Sequence, residues 1–291
     1  MTQNSYIGRF APSPSGPLHF GSLVAAVASY LQARSNQGKW LVRIEDIDPP
    51  RESKGAADSI LRTLENFHLC WDDNVIYQSE HMDRYQQCLH QLYQQQQTYF
   101  CTCSRKAIKK VSPFYQGHCR HQRKQPSKDF SIRFYNPEPL TQFYDEHAGK
   151  LLFPLESFEH DFILKRKDGL FAYQLAVVVD DMDEAITEVV RGADLLDSTP
   201  RQIQLFQSFA RTAPRYLHLP LVLGKDGDKL SKLTHAEPVD NAPANQQLFK
   251  ALQFLQQSPP ATLQKAPVNE LLQWALSHWQ PGLIPSIKSY R

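Results

Sequence analysis

The sequence predicts an α/β fold built on a parallel sheet, and three observations carry that prediction. Residues 6–11, Tyr6-Ile7-Gly8-Arg9-Phe10-Ala11, form a short strand-like run that Pro12-Ser13-Pro14-Ser15-Gly16-Pro17 brings to a stop. Over residues 21–34 the apolar positions Leu23, Val24, Val27, Ala28 and Leu31 recur at helical spacing, and Gly38 closes the element. Residues 40–44, Trp40-Leu41-Val42-Arg43-Ile44, then make a second strand that runs into Glu45-Asp46-Ile47-Asp48. Strand, loop, helix, strand is one crossover unit of a parallel sheet, and such sheets bind ligands at the carboxyl ends of their strands. Arg9, His19 and Glu45 all fall at or just beyond those ends.

The remaining elements follow in order. Helices are expected over 56–67 and 83–97, the second closing on Gln94-Gln95-Gln96-Gln97, a solvated face. Residues 101–128 carry eight basic residues (Arg105, Lys106, Lys109, Lys110, Arg120, Arg123, Lys124, Lys128) and no acid. Strand-like runs at 130–135, 161–165 and 173–179 predict an inserted β-rich subdomain. Further sheet strands are expected at 186–191 and 217–223, with a helix over 194–209 between them. Beyond Lys232, Pro238, Pro243, Pro259, Pro260 and Pro267 separate two short amphipathic helices. The chain thus divides into the first half of a catalytic domain (1–100), an insert (101–172), the second half (173–235) and a short helical C-terminal region (236–291).

Composition narrows the class. With 41% hydrophobic residues and a formal charge of +2, from 32 Lys and Arg against 30 Asp and Glu, the 291-residue chain has the apolar content to bury a core. No apolar stretch is long enough to span a membrane and no signal peptide is visible. Five cysteines without a secretory signal favour reduced thiols in a cytoplasm, with any cluster metal-binding rather than disulfide-linked; a monomer is expected, although no residue pattern fixes the oligomeric state. A near-neutral total means that nucleic acid, if bound, is held by a local patch, and 101–128 is that patch.

Two motifs carry phosphate chemistry. Gly16-Pro17-Leu18-His19-Phe20-Gly21-Ser22 places an imidazole and a glycine at a helix entrance, where unpaired N–H donors and a partial positive charge suit a phosphate. Gly224-Lys225-Asp226-Gly227-Asp228-Lys229-Leu230-Ser231-Lys232 is a turn-forming loop whose Lys229 and Lys232 can close over a triphosphate and stabilise departing pyrophosphate. An H-x-G loop after the first strand and a K-L-S-K loop after the last resemble the HIGH and KMSKS signatures of class I aminoacyl-tRNA synthetases. Residues 9–16, Leu41-Val42-Arg43-Ile44-Glu45-Asp46-Ile47-Asp48, Tyr173-Gln174-Leu175-Ala176-Val177-Val178-Val179-Asp180-Asp181 and Val190-Arg191-Gly192-Ala193-Asp194 look like the catalytic core of the glutamyl-tRNA synthetases, in consistent order over residues 5–235. Ser22 stands at the fourth HIGH position and Leu233 ends the second signature, two departures from the family pattern.

The resemblance implies a Rossmann-type nucleotide-binding fold and a ligase that binds ATP through His19, Gly21, Ser22 and Lys232, with Mg2+ in the substrate complex. His19, Lys229, Ser231 and Lys232 are its catalytic candidates. The resemblance implies glutamate as the amino acid, and charge complementarity fits residues to it. Glutamate offers two carboxylates and one ammonium, so its pocket needs two cations and one anion. Arg9 and Arg191 are the cations, because the guanidinium fork binds carboxylates bidentately, in either assignment. Glu45 with Ser13 suits the ammonium, Tyr173 supplies a hydroxyl and a wall, and Phe10, Ala11 and Pro12 complete the set.

Cys101-Thr102-Cys103 and Cys119 have the softness and spacing for a tetrahedral Zn2+ that holds a small basic loop together. His118 and His121 are the ordinary fourth ligands, and the resemblance points instead to Tyr115. Cys70 and Cys88 are assigned to the core.

Only about 55 residues follow the Lys232 loop, too few for the anticodon-binding region of full-length glutamyl-tRNA synthetases. The pattern resembles a shortened branch that activates L-glutamate without tRNA and esterifies it to the queuosine base at the wobble position of tRNA(Asp). The alternatives are a short synthetase charging a tRNA acceptor end, a non-catalytic glutamate- or nucleotide-binding paralogue, and a small nucleotidyltransferase sharing the H-x-G loop.

Overall fold

Strands β1 (Ile7–Phe10) and β2 (Lys39–Ile44) pair in parallel, Ile7 opposite Lys39 and Phe10 opposite Val42, joined by helix α1 (Phe20–Ser35). The structure is a computed structural model, and it describes residues 5–122, 129–155, 160–223 and 237–287. Gly38 makes the return into β2 feasible, because a Cβ there would lie 2.4 Å from the carbonyl oxygen of Tyr6. Gly38→Ala is therefore expected to cost about 1–3 kcal/mol through forced backbone displacement, read as a lower urea midpoint; an unchanged midpoint would show that the turn can give way.

Helix α2 (Ala56–Asn66) leads to a short strand, β3 (Ile76–Tyr77), which the sequence reading did not foresee and which extends the sheet beside β2. Helix α3 (Met82–Gln94) then precedes an antiparallel sheet of β4 (Thr98–Cys101), β5 (Ser131–Phe134) and β8 (Ile163–Lys165). A five-residue helix, α4 (Arg105–Lys109), follows β4, and the hairpin β6 (Gln142–Asp145)–β7 (Gly149–Leu152) lies between β5 and β8 in the chain.

Residues 173–179, expected as a strand, are instead the start of helix α5 (Tyr173–Asp183). Its residues Leu175 to Asp181 are all buried, so the segment shows a continuous apolar run and no one-sided period. A run of that kind is shared by buried strands and buried helices. Strands β9 (Glu188–Gly192) and β10 (Arg215–Leu219) are parallel, with Arg191 opposite His218. The stretch between them is a 3-10 turn, Ala193–Ser198, continuing into α6 (Thr199–Ser208). Thr187 ties this half to the first, its N–H donating to the Ile7 carbonyl at 2.9 Å and its hydroxyl accepting from Ile7 N at 2.9 Å. The β6–β7 hairpin docks on β10, with Glu146 N donating to Tyr216 O at 2.8 Å.

Helix α1 is buried along nearly its whole length because it has two neighbours. One face meets the sheet, and the other meets α7 (Ala244–Phe254) and α8 (Val268–His278), whose Leu248, Leu252, Leu271 and Ala275 join the same core. Cys88 is buried on α3 as expected, whereas Cys70 is exposed. It sits just beyond α2, where the helical spacing that assigned it to the core no longer applies, and its carbonyl accepts from Arg34 Nη2 at 2.7 Å. Among the described residues no helix is long and apolar enough to cross a membrane.

Candidate active site

One cleft of about 880 Å3 opens at the carboxyl ends of β1, β2 and β9. Arg9, Phe10, Ala11, Pro12, Ser13, Glu45, Tyr173 and Arg191 all line it, as do His19, Gly21 and Ser22. Residues up to 182 positions apart in the chain meet here because the strands that carry them run side by side. Lys229, Ser231 and Lys232 lie outside the described residues.

His19 caps α1. Its Nδ1 accepts from Ser22 N at 3.2 Å, and Ser22 Oγ lies 3.1 Å from its Nε2. Gly21 leaves room for this ring, since a Cβ there would come within 3.2 Å of it. The imidazole is thus fixed at the positive end of a 16-residue helix.

Below the cleft lies a buried charge cluster that sequence reasoning missed. Asp181 accepts from Arg9 Nε at 3.1 Å and Nη2 at 3.3 Å, and from Arg43 Nη2 at 2.7 Å. Burial alone would raise the Asp181 pKa, but Arg9 and Arg43 outweigh it and hold the carboxyl below its ordinary value. Arg43 is fully buried and also binds Glu184 at 2.8 Å. Arg9 keeps Nη1 without a hydrogen bond among the described residues. Glu45 differs: its Oε1 is buried with no hydrogen-bond partner, the nearest ion-pair contact being Arg43 Nη2 at 3.9 Å. Burial pushes its pKa up to about 7, and Arg43 and Arg9 only partly counter this. A buried carboxyl that lacks a hydrogen bond and lines a cleft can receive a cation. The sequence offered a hint in Asp180-Asp181, two acids ending an apolar run.

Across the cleft, Arg191 is held from behind. Its Nε donates to His218 Nε2 at 3.2 Å and its Nη2 to Thr199 Oγ1 at 2.9 Å, leaving Nη1 with only the Tyr173 hydroxyl at 3.4 Å among the described residues. His218 is fully buried, and burial pushes its pKa down to about 4 despite Asp145 beside it, so the imidazole is neutral.

The cysteines converge in the insert. The Sγ atoms of Cys101, Cys103 and Cys119 all lie within 4.8 Å of one another, close to the ~3.8 Å edge of a tetrahedron with Zn–S bonds of about 2.3 Å. Tyr115 is buried among them, its hydroxyl accepting from Cys119 N at 2.7 Å, while His118 and His121 are exposed and outside the group. The Arg133 guanidinium stacks 3.8 Å over the Tyr115 ring, placing positive charge beside the phenol. The donor set fits a zinc ion. Asp161, fully buried, anchors the segment by accepting from Arg120 through two 2.8 Å bonds, from the Tyr99 hydroxyl at 2.6 Å and from Asn136 N at 3.0 Å. Of the basic residues, Arg120 is therefore committed to the fold, whereas Arg105, Lys106, Lys109 and Lys110 are exposed along and just beyond α4.

A family model described as the catalytic domain of class I tRNA synthetases (E and Q) matches residues 7–250. The chain belongs to this family. It is accordingly a ligase-type enzyme with the class I synthetase α/β fold, in a family that uses ATP with Mg2+. It is 50% identical over 285 residues to proteins named glutamyl-Q tRNA(Asp) synthetase from Vibrio vulnificus, covering 98% of this chain and 93% of the relative, and from Escherichia coli, covering 98% and 92%. Among solved structures, a glutamate–tRNA synthetase from Elizabethkingia anophelis superposes with a TM-score of 0.78 at 22% identity, covering 97% of this chain and 67% of that one, which shows a shared fold.

Proposed function

We propose that this class I synthetase activates L-glutamate with ATP in the absence of tRNA and transfers it to the queuosine base at the wobble position of tRNA(Asp). The observation that carries the reading is the cleft itself: two arginines and one buried carboxyl without a hydrogen bond at Oε1 line the same cavity beside the His19 helix entrance. Glutamate presents the complementary set of two carboxylates and an ammonium. The queuosine acceptor rests on the names of the relatives at 50% identity.

In the first step a glutamate α-carboxylate oxygen attacks the ATP α-phosphorus, forming the O–P bond as the bond to pyrophosphate breaks. Arg9, Arg191 and Tyr173 hold the substrate, Glu45 with Ser13 holds its ammonium, and Phe10, Ala11 and Pro12 form the floor. His19, Gly21 and Ser22 at the α1 entrance lie at the phosphate end of the cleft, and Lys229, Ser231 and Lys232 are the candidates to contact the phosphates from the second signature. Catalysis is chiefly positioning and charge stabilisation, with Mg2+ offsetting phosphate charge. In the second step a queuosine hydroxyl oxygen attacks the acyl carbon, AMP leaves and the hydroxyl proton passes to solvent. The exposed basic residues of 105–110 would hold RNA phosphates.

The deciding experiment mixes labelled glutamate, ATP and tRNA from strains with and without queuosine. Label should appear only on queuosine-containing tRNA. Label on tRNA lacking it would support the acceptor-end reading instead, and a pyrophosphate exchange that needs tRNA would refute the first half.

Glu45 supplies a pH prediction. Its folded pKa is raised, so the empty pocket holds the neutral acid below about 7. Pairing with an ammonium requires the carboxylate, so binding releases a proton there, and affinity for glutamate falls by up to about tenfold per pH unit below that point. Titration calorimetry in buffers of different ionisation enthalpy should detect the released proton, and Glu45→Gln should remove both the release and the pH slope.

Cys101, Cys103, Tyr115 and Cys119 would hold one structural Zn2+, bracing residues 101–119 in place of a hydrophobic core. Tyr115→Phe should speed zinc loss to a chelator by about tenfold or more, with His118→Ala unchanged; the reverse ranking would exchange the ligand.

A further inference from the structure

We infer that His218, locked in one tautomer by Asp145, is a positioning residue that aims the Arg191 guanidinium into the amino-acid pocket. The inference rests on the glutamate reading above only for its kinetic consequence.

The geometry is a relay of three side chains from three strands. Asp145, at the end of β6, is fully buried, and its carboxylate receives four N–H groups. Oδ1 takes His147 N at 3.0 Å and Ala148 N at 2.8 Å, while Oδ2 takes His218 N at 3.0 Å and His218 Nδ1 at 2.7 Å. A carboxylate so surrounded can only accept, so the His218 proton sits on Nδ1 and Nε2 is left as a bare acceptor. That acceptor faces Arg191 Nε at 3.2 Å and Thr199 Oγ1 at 3.1 Å. The Arg191 guanidinium is thereby gripped along its Nε–Nη2 edge, and Nη1 remains for the cavity. The other tautomer would set Nε2–H against Nε–H, two donors in opposition.

Packing alone does not call for these groups. His218 lies 6.0 Å from the rings of Phe143 and Tyr216, where a phenyl side chain would fill the same space without burying a carboxylate. The buried polar chain ends at a single atom group, and that group lines the cleft. The hairpin that supplies Asp145 lies outside the parallel sheet, so the insert contributes to the pocket through this contact.

The test compares wild type with His218→Phe, which keeps the ring and removes the acceptor, His218→Gln, which keeps an acceptor and a donor, and Asp145→Asn. In Asp145→Asn the amide must either oppose the backbone N–H groups or force the other imidazole tautomer. His218→Phe and Asp145→Asn should raise KM for glutamate at least about tenfold in pyrophosphate exchange. KM for ATP should change less than about twofold and kcat less than about threefold, and His218→Gln should recover most of the loss. An unchanged glutamate KM in a folded His218→Phe variant, or a His218→Gln variant no better than His218→Phe, overturns the inference. Should His218→Phe not fold, Asp145→Asn and His218→Gln decide it by the same criteria. A readout without substrate separates this from the glutamate reading: 15N spectra of the wild type should show Nδ1 protonated, Nε2 bare and the Arg191 Nε–H slow to exchange. A protonated Nε2 would overturn the positioning role whatever the amino acid, whereas those signals in a protein without glutamate-dependent exchange would sustain the role and discard the substrate.

Discussion

Replacing Arg191 by alanine is expected to lower kcat/KM for glutamate in pyrophosphate exchange by about 30- to 5,000-fold. That range corresponds to the roughly 2–5 kcal/mol lost when one partner of a buried, hydrogen-bonded charge pair is truncated. The residue is only 6% exposed, so water cannot substitute freely for the missing guanidinium. Arg191→Lys should recover little, since an ammonium cannot reproduce the fork that His218 and Thr199 hold on one side while the other faces the cleft. Initial rates over a glutamate titration give the number, and a loss below about threefold would remove Arg191 from the pocket.

Asp181→Ala is expected to act on the fold more than on the chemistry. It would leave Arg9 and Arg43 buried close together with their shared carboxylate gone. Removing one partner of a buried ion pair costs about 3–5 kcal/mol, and in a chain of this size that lowers the melting temperature by on the order of 10 °C. Thermal melts and urea titrations at pH 7 would measure it. A loss below about 1 kcal/mol would mean that Glu184, 2.8 Å from Arg43, suffices by itself.

The parts of the molecule legible in the sequence are those with one-sided patterning or local punctuation. The β1–α1–β2 unit has a proline-rich stop and a helical period, and α7 and α8 alternate apolar and polar faces between prolines. Helix α5 was misread for a physical reason: it is buried all round, so the pattern that separates helix from strand is absent. In the site, Arg9 and Arg191 could be picked out because a charge at the end of an apolar strand is costly unless used, and Glu45 because it stands at the end of β2 as an anion suited to an ammonium. Their supports could not. Asp181 reaches Arg9 across 172 positions and Asp145 reaches His218 across 73, and no local spacing encodes such meetings. Arg43 was visible only as a polar interruption of β2.

The anchoring of the cysteine segment by Asp161 has a mechanical consequence. Four hydrogen bonds converge on that one buried carboxylate, from Arg120, the Tyr99 hydroxyl and the Asn136 backbone, so the segment around Arg120 is tied to the β4–β5–β8 sheet. Under the function proposed above, a nucleic acid held there would meet a gauge of set length. On that reading, only a nucleophile projecting the right distance from its own backbone would reach the proposed adenylate, and reach would select before any base is read.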